Sequence, residues 1–291
     1  MDIDYINNQV ATFYKFLFLF IGTIGNCLFI HLIFKVKQLR SRSSLLQSAQ
    51  CVFQTLCLFG TSLCALLTLK LNIKRRECFM YISFYVYSQA AQGVLMLIIM
   101  LDLLILIKFP LQYMNIASRK YLFVSFMLVI LYSSSVTLFG YLTTNDDTIH
   151  VCNPVFALNT TASLISKSLI LFMSSITLFV YIIIIILYKK KKDGRNDDSS
   201  KILNRLKVLV VIYIFTWFVN QIFAILFLHD NGTVKWEKML FTHNAFFIVL
   251  SNSNTFYVTM WKSEEYRKHF RSLWGLNKRF DVKRSSTLAM F

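Results

Sequence analysis

The chain has 291 residues, of which 56% are hydrophobic and 15% charged, with 28 Phe, and its mean hydropathy is +0.55. Charge gathered between long apolar runs excludes a soluble domain. The formal net charge of +17 would suit a nucleic-acid binder, but the basic residues fall in the loops between apolar runs, which excludes that partner and points to a membrane.

Seven apolar segments follow in chain order, at residues 10–34, 45–69, 78–107, 121–142, 162–188, 206–228 and 240–261. Each is long enough to cross a hydrocarbon core of ~30 Å at ~1.5 Å per residue. In lipid each must be helical, because an open strand would leave its backbone unpaired. The first opens after Asp2 and Asp4 rather than a basic start, and it is too long for a signal-peptide core, so it reads as a spanning helix. The expectation is an all-α membrane protein: a seven-transmembrane helix bundle over 1–262, a C-terminal amphipathic helix over 263–275 and a tail over 276–291.

Charge sets the orientation. The loops on the side of the N-terminus hold 6 Lys and Arg, and those on the opposite side hold 23. The N-terminus is therefore expected outside and the C-terminus in the cytosol, with Lys70, Lys74, Arg75 and Arg76 as a local exception in the first outer loop. The sequons Asn159-Thr160-Thr161 and Asn231-Gly232-Thr233 both fall in outer loops, where glycosylation is possible. Cys27, Cys51, Cys57 and Cys64 lie within the first two segments, and Cys78 and Cys152 are both assigned to the oxidising side.

The third segment carries Cys78 at one face, then Asp102 and Pro110 at the other. That spacing resembles the third helix of rhodopsin-like G-protein-coupled receptors. With the closing Ser263-Glu264-Glu265-Tyr266-Arg267, the chain most resembles the nematode serpentine chemoreceptors of the Srsx type. The resemblance implies a small extracellular ligand, a heterotrimeric G protein, membrane lipids as surroundings, no nucleic acid and no cofactor. It implies a Cys78–Cys152 disulfide over the third helix, against which stands the reading of two free thiols. It also implies a switch at the inner end, but the Asp-Arg-Tyr triplet reads Asp102-Leu103-Leu104 here, so the acid lacks its neighbouring arginine. Asp102 is then expected to be hydrated, or to meet Lys108 or a basic loop residue, or to hydrogen-bond to the second inner loop, with Leu103 packed on the sixth helix. Restoring the arginine, Leu103→Arg, is expected to raise coupling.

Other positions are weighed in the same way. Asn26, after Gly25, is expected to pack against helices two and seven. Gln54 stands where the family has an aspartate, so a sodium ion would lose its main carboxylate and no metal site is expected. Tyr85 and Gln89 of the third segment are candidate ligand contacts, with interhelical hydrogen bonding as the equal alternative. Lys167 is expected either to snorkel to the surface or to meet an anionic ligand. Trp217 resembles the family's switch tryptophan, with Val219 in the proline place, and Asn220 and Gln221 would form a polar pocket floor. Asn254 and Tyr257 are the nearest counterparts of the Asn-Pro-x-x-Tyr motif, without its proline. Tyr266, Phe270, Leu273 and Trp274 form a stripe that suits a helix lying on the inner leaflet, with Ser263 as N-cap and Gly275 as stop.

A transporter or channel is the alternative, but paired intramembrane charges and inverted repeats are not evident. The five histidines are scattered, so no catalytic residues are expected.

Overall fold

The computed structural model describes residues 3–68, 73–149, 151–190 and 235–275, and residues 208, 210–212, 215–217, 220–223 and 225 of the sixth segment. Its helices are α1 (Ile3–Lys35), α2 (Arg42–Thr68), α3 (Arg75–Lys108), α4 (Pro110–Asn115), α5 (Ser118–Thr143), α6 (Thr160–Lys190), α7 (Lys235–Ser253), α8 (Thr255–Lys262) and α9 (Glu264–Leu273). Five of these, α1, α2, α3, α5 and α6, are long and apolar enough to cross a membrane. At ~1.5 Å per residue, α3 is about 50 Å long. It overshoots the hydrocarbon core, which is why its ends carry Arg75, Arg76 and Lys108.

Three features differ from the sequence reading. The seventh apolar segment is not one helix but two, α7 and α8, parted at Asn254. The second inner loop contains the short helix α4, with Pro110 at its first turn, where the missing N–H costs nothing. The outer loops form a small antiparallel ladder, β1 (Ile73–Lys74) with β2 (Thr148–Ile149), in the register Ile73↔Ile149 and Lys74↔Thr148.

That ladder accounts for part of the charge exception outside. Arg75 N–H donates to the Asp147 carbonyl at 2.8 Å, and the Arg75 and Arg76 side chains pair with Asp147 and Asp146 at 3.6 and 4.0 Å. Two of the four basic residues are thus answered by acids on the neighbouring loop.

The bundle is apolar outside and combines polar with apolar groups inside. Phe13, Phe20, Phe123, Phe172, Phe179 and Phe215 are all more than 60% exposed, a surface that only lipid explains. Asn26, Gln54, Gln89, Gln92 and Gln221 are 5% exposed or less. Between them lie two large apolar clusters. The outer one joins Cys78, Phe79, Ile82 and Val86 of α3 with Ile149, Leu158 and Ala162. The inner one runs from Ala91 to Ile107 on α3 and takes in Ile170 and Ile184 of α6, Val210 and Trp217.

The approach of α2 to α3 depends on Gly60. A Cβ there would stand 2.4 Å from Tyr85 Cβ and 2.5 Å from its Cγ. Gly→Ala in a helix ordinarily stabilises by up to ~1 kcal/mol. Here Gly60→Ala is expected to cost about 1–3 kcal/mol by overpacking. Thermal unfolding of the purified protein reads the sign, and a melting temperature at or above that of the parent would refute this packing.

Candidate functional site

The outer end is tied first. Cys78, in the first turn of α3, is bonded to Cys152, with the two Cα atoms 5.7 Å apart, inside the ordinary range for a disulfide. Both residues are fully buried. The second outer loop is therefore held at α3 by the disulfide and at β1 by the ladder. Asn159, one of the two sequon residues, lies at its end, half-buried, with its carbonyl accepting Ser163 N–H at 2.7 Å. Asn231 lies outside the described residues.

Below this cap the candidate ligand contacts divide. Tyr85 turns towards α2 and Gly60, and Gln92 Nε2 donates to Cys57 Sγ at 2.9 Å, so this face of α3 serves helix packing. Gln89 is buried on the same face, next to Tyr85. Trp217 is buried in the inner apolar cluster. The Asn220 carbonyl accepts a hydrogen bond from Asn244 Nδ2 of α7 at 3.1 Å. Gln221 is fully buried, and among the described residues neither its amide oxygen nor its nitrogen has a hydrogen-bond partner.

Lys167 does not snorkel. It is 4% exposed, whereas a lysine laid along the lipid face would be open in a protein free of lipid. The reason is the rotation of α6. Ser163, Lys167, Ile170, Ser174 and Thr177 recur at helical spacing and are all buried, so this polar stripe faces the bundle. The small hydroxyl residues around Lys167 were the sequence signal for its inward direction.

In the middle, Asn26 Nδ2 donates to Thr55 Oγ1 at 3.2 Å and to the Asn252 carbonyl at 3.1 Å. It thus joins α1 to α2 and α7, as its family position implied. Gln54 Oε1 accepts Thr255 Oγ1–H at 2.9 Å. Sequence reasoning missed Thr255, because Asn254 beside it looked the better match. Asn254 sits half-buried at the helix break. Tyr257 is 43% exposed and donates to the Ile21 carbonyl at 2.9 Å, on the side of α1.

The inner end is built around Asp102, which is 1% exposed. Its partner is not Lys108, whose ammonium lies over the Phe109 ring. Arg42 of α2 places Nε 3.8 Å from Asp102 Oδ1, and Tyr113 Oη donates to Oδ2 at 3.3 Å. The guanidinium rests 3.6 Å from the centre of the Tyr113 ring and donates to the Tyr113 carbonyl at 2.7 Å. Burial, then the neighbouring carboxylate, holds the Tyr113 phenol above its ordinary value, so it stays a donor at neutral pH. Leu103 is 4% exposed in the inner apolar cluster with Val210. Leu103→Arg would therefore put a guanidinium into apolar packing, and the acid meant to receive it is already held by Arg42. The gain in coupling expected from that substitution does not fit this geometry.

At the C-terminal end, α9 buries Tyr266 against α1 and α2. Its ring stacks on Phe29 at 6.2 Å between centroids, and its hydroxyl lies 2.7 Å from Ser44 Oγ. Gly275 takes φ +65 as the helix stop, as its position suggested. Ser263 holds the N-cap position but its side chain makes no capping bond. The tail over 276–291 lies outside the described residues.

Among known families, the model of the serpentine type 7TM GPCR chemoreceptor Srsx matches residues 19–274. No curated protein matches the chain.

Proposed function

The chain belongs to the Srsx family of serpentine seven-transmembrane G-protein-coupled chemoreceptors, and from that premise we propose that it binds a small extracellular molecule and passes the signal to a heterotrimeric G protein. It is a multi-pass membrane protein of a receptor family, not an enzyme family. In this reading the sixth segment and the α7–α8 pair supply the remaining two spans. The N-terminus is outside, and α9 lies on the inner leaflet with Lys268 and Arg271 towards the headgroups. Asn159 and Asn231 are open to glycosylation. Asp102, Arg42 and Tyr113 form the inner switch, with Leu103 and Trp217 in the packing that moves with it. The register of the seventh segment runs through Asn252 and Thr255 to Tyr257.

The observation that carries this reading is the two-ended layout. Buried polar groups, among them Lys167, Ser163 and Gln221, lie in the outer half, a buried charged cluster lies at the inner end, and an apolar cluster reaches from Ile170 and Trp217 to Leu103 between them. A ligand at one end and an effector at the other would have that cluster between them, which suits a receptor.

The test is expression in a heterologous cell with a tag at each terminus and a panel of Gα classes. The N-terminal tag is expected to be reachable on intact cells and the C-terminal tag only after permeabilisation. Nucleotide exchange on at least one Gα class should rise above that of the Asp102→Asn variant, or fall below it, at equal surface level. A reversed tag pattern, or no effect on any class, removes the proposal.

A further inference from the structure

Lys167 is the feature of the outer half that helix packing leaves unexplained. It stands on α6, two turns in from Thr160, and is 4% exposed. Among the described residues, no hydrogen bond or ion pair reaches it. A buried ammonium without a partner is costly, more so in a membrane protein. A chain under selection only for folding would have little reason to keep it.

Its surroundings form a layer. The inner apolar cluster contains both Ile170 and Trp217. One turn outward from Ile170 stands Lys167. One turn outward from Trp217 stands Gln221, whose two amide atoms are both without a partner. Both therefore stand one turn outward from members of the same apolar cluster. Independent counting agrees on the depth. Lys167 is about 11 Å along α6 from its outer end, and Asn244, bonded to the Asn220 carbonyl, is about 14 Å along α7 at ~1.5 Å per residue. One turn further out on α6, the Ser163 hydroxyl is fully buried and also unpartnered. Above it the outer cluster begins at Ala162 and Leu158, under the disulfide-held loop. The layer thus offers an ammonium, an amide and a hydroxyl between two apolar clusters.

We infer that this layer is the ligand site of the proposed receptor, and that the ligand is a small carboxylic acid with an apolar body. The carboxylate takes the Lys167 ammonium and receives further hydrogen bonds from the Gln221 amide and the Ser163 hydroxyl. The apolar body rests on Ile170 and Trp217. A single ammonium matches a single negative charge, whereas a phosphate dianion would leave half of its charge buried and unanswered. The inference rests on the receptor reading for its biological meaning, but not for its test.

The experiment uses the full chain purified into lipid nanodiscs, with hexanoate, octanoate, benzoate and phenylacetate as probes and their methyl esters as neutral controls. Thermal unfolding is followed for wild type, Lys167→Met and Lys167→Gln. Without ligand, Lys167→Met is expected to raise the melting temperature by about 2–4 °C, because it removes an uncompensated buried charge. At least one acid should raise the wild-type melting temperature, its ester should not, and both variants should lose the shift. The inference is overturned if the esters act as well as the acids, if the variants keep the shift, or if no acid acts. It is equally overturned if both variants melt below wild type without ligand, since Lys167 would then be a structural residue. G-protein coupling, measured separately, tells the two readings apart. Acid binding without coupling sinks the receptor and spares the site, and coupling without acid preference does the reverse.

Discussion

Arg42→Met is expected to destabilise the protein by roughly 3–5 kcal/mol, the cost of leaving one member of a buried ion pair behind. Asp102 would keep only the Tyr113 hydroxyl, because its other oxygen accepts no hydrogen bond and meets only the charge of Arg42. Asp102→Leu should cost a similar amount, since the guanidinium is buried too and stacks on an aromatic ring that cannot neutralise it. The double variant Arg42→Met with Asp102→Leu should lose much less than the sum, because two apolar side chains of similar volume answer each other. Thermal unfolding of the four proteins in one lipid environment completes the cycle. Additive losses would show that the two residues do not interact. The same variants also report on signalling. The cluster ties α2, α3 and α4 together at the inner end, so releasing it should raise basal nucleotide exchange per receptor at the surface.

The second large effect is expected at the opposite end. Cys152→Ser or Cys78→Ser should abolish most surface expression. The bond closes a separation of 74 residues, for which chain entropy alone would give about 4 kcal/mol in a soluble protein. In a bilayer the unfolded chain keeps its helices, so the expected loss is nearer the lower end of the usual ~2–5 kcal/mol. It falls on the second outer loop, which would keep the four-residue ladder, the pairs at Arg75 and Arg76 and its packing in the outer apolar cluster. Surface labelling and non-reducing peptide mapping check this. Two free thiols in the mature protein, or normal surface levels of either variant, would contradict it.

The parts legible in the sequence were those set by local composition. Span positions follow from hydropathy, and Asp102 stood out as the one acid within the apolar segments. The disulfide was legible because two of the six cysteines lay at outer ends while the other four lay within helices. What was not legible depends on how each helix is turned about its axis. Tyr85 stood evenly between ligand contact and interhelical bonding, and only Gly60, on another helix, shows which way it faces. Lys167 stood between snorkelling and an anionic ligand because only its distance from the helix end was legible, and distance says nothing of direction. Arg42 was one of several loop cations within reach of Asp102, and only the docking of α4 selects it. Thr255 was hidden by its neighbour, since its role comes from facing Gln54 across 201 residues of chain.

The seventh segment parts into two helices without a proline. The helix parts at Asn254, and the Ser253 hydroxyl bonds back to the Val249 carbonyl one turn earlier, a habit of Ser and Thr that loosens and bends helices. A proline ring imposes its bend on every conformer, because the N–H is gone for good. A serine bends the helix only in the rotamer that makes the bond. The joint at Asn254 lies beside Asn252 and Thr255, which are bonded to Asn26 of α1 and Gln54 of α2.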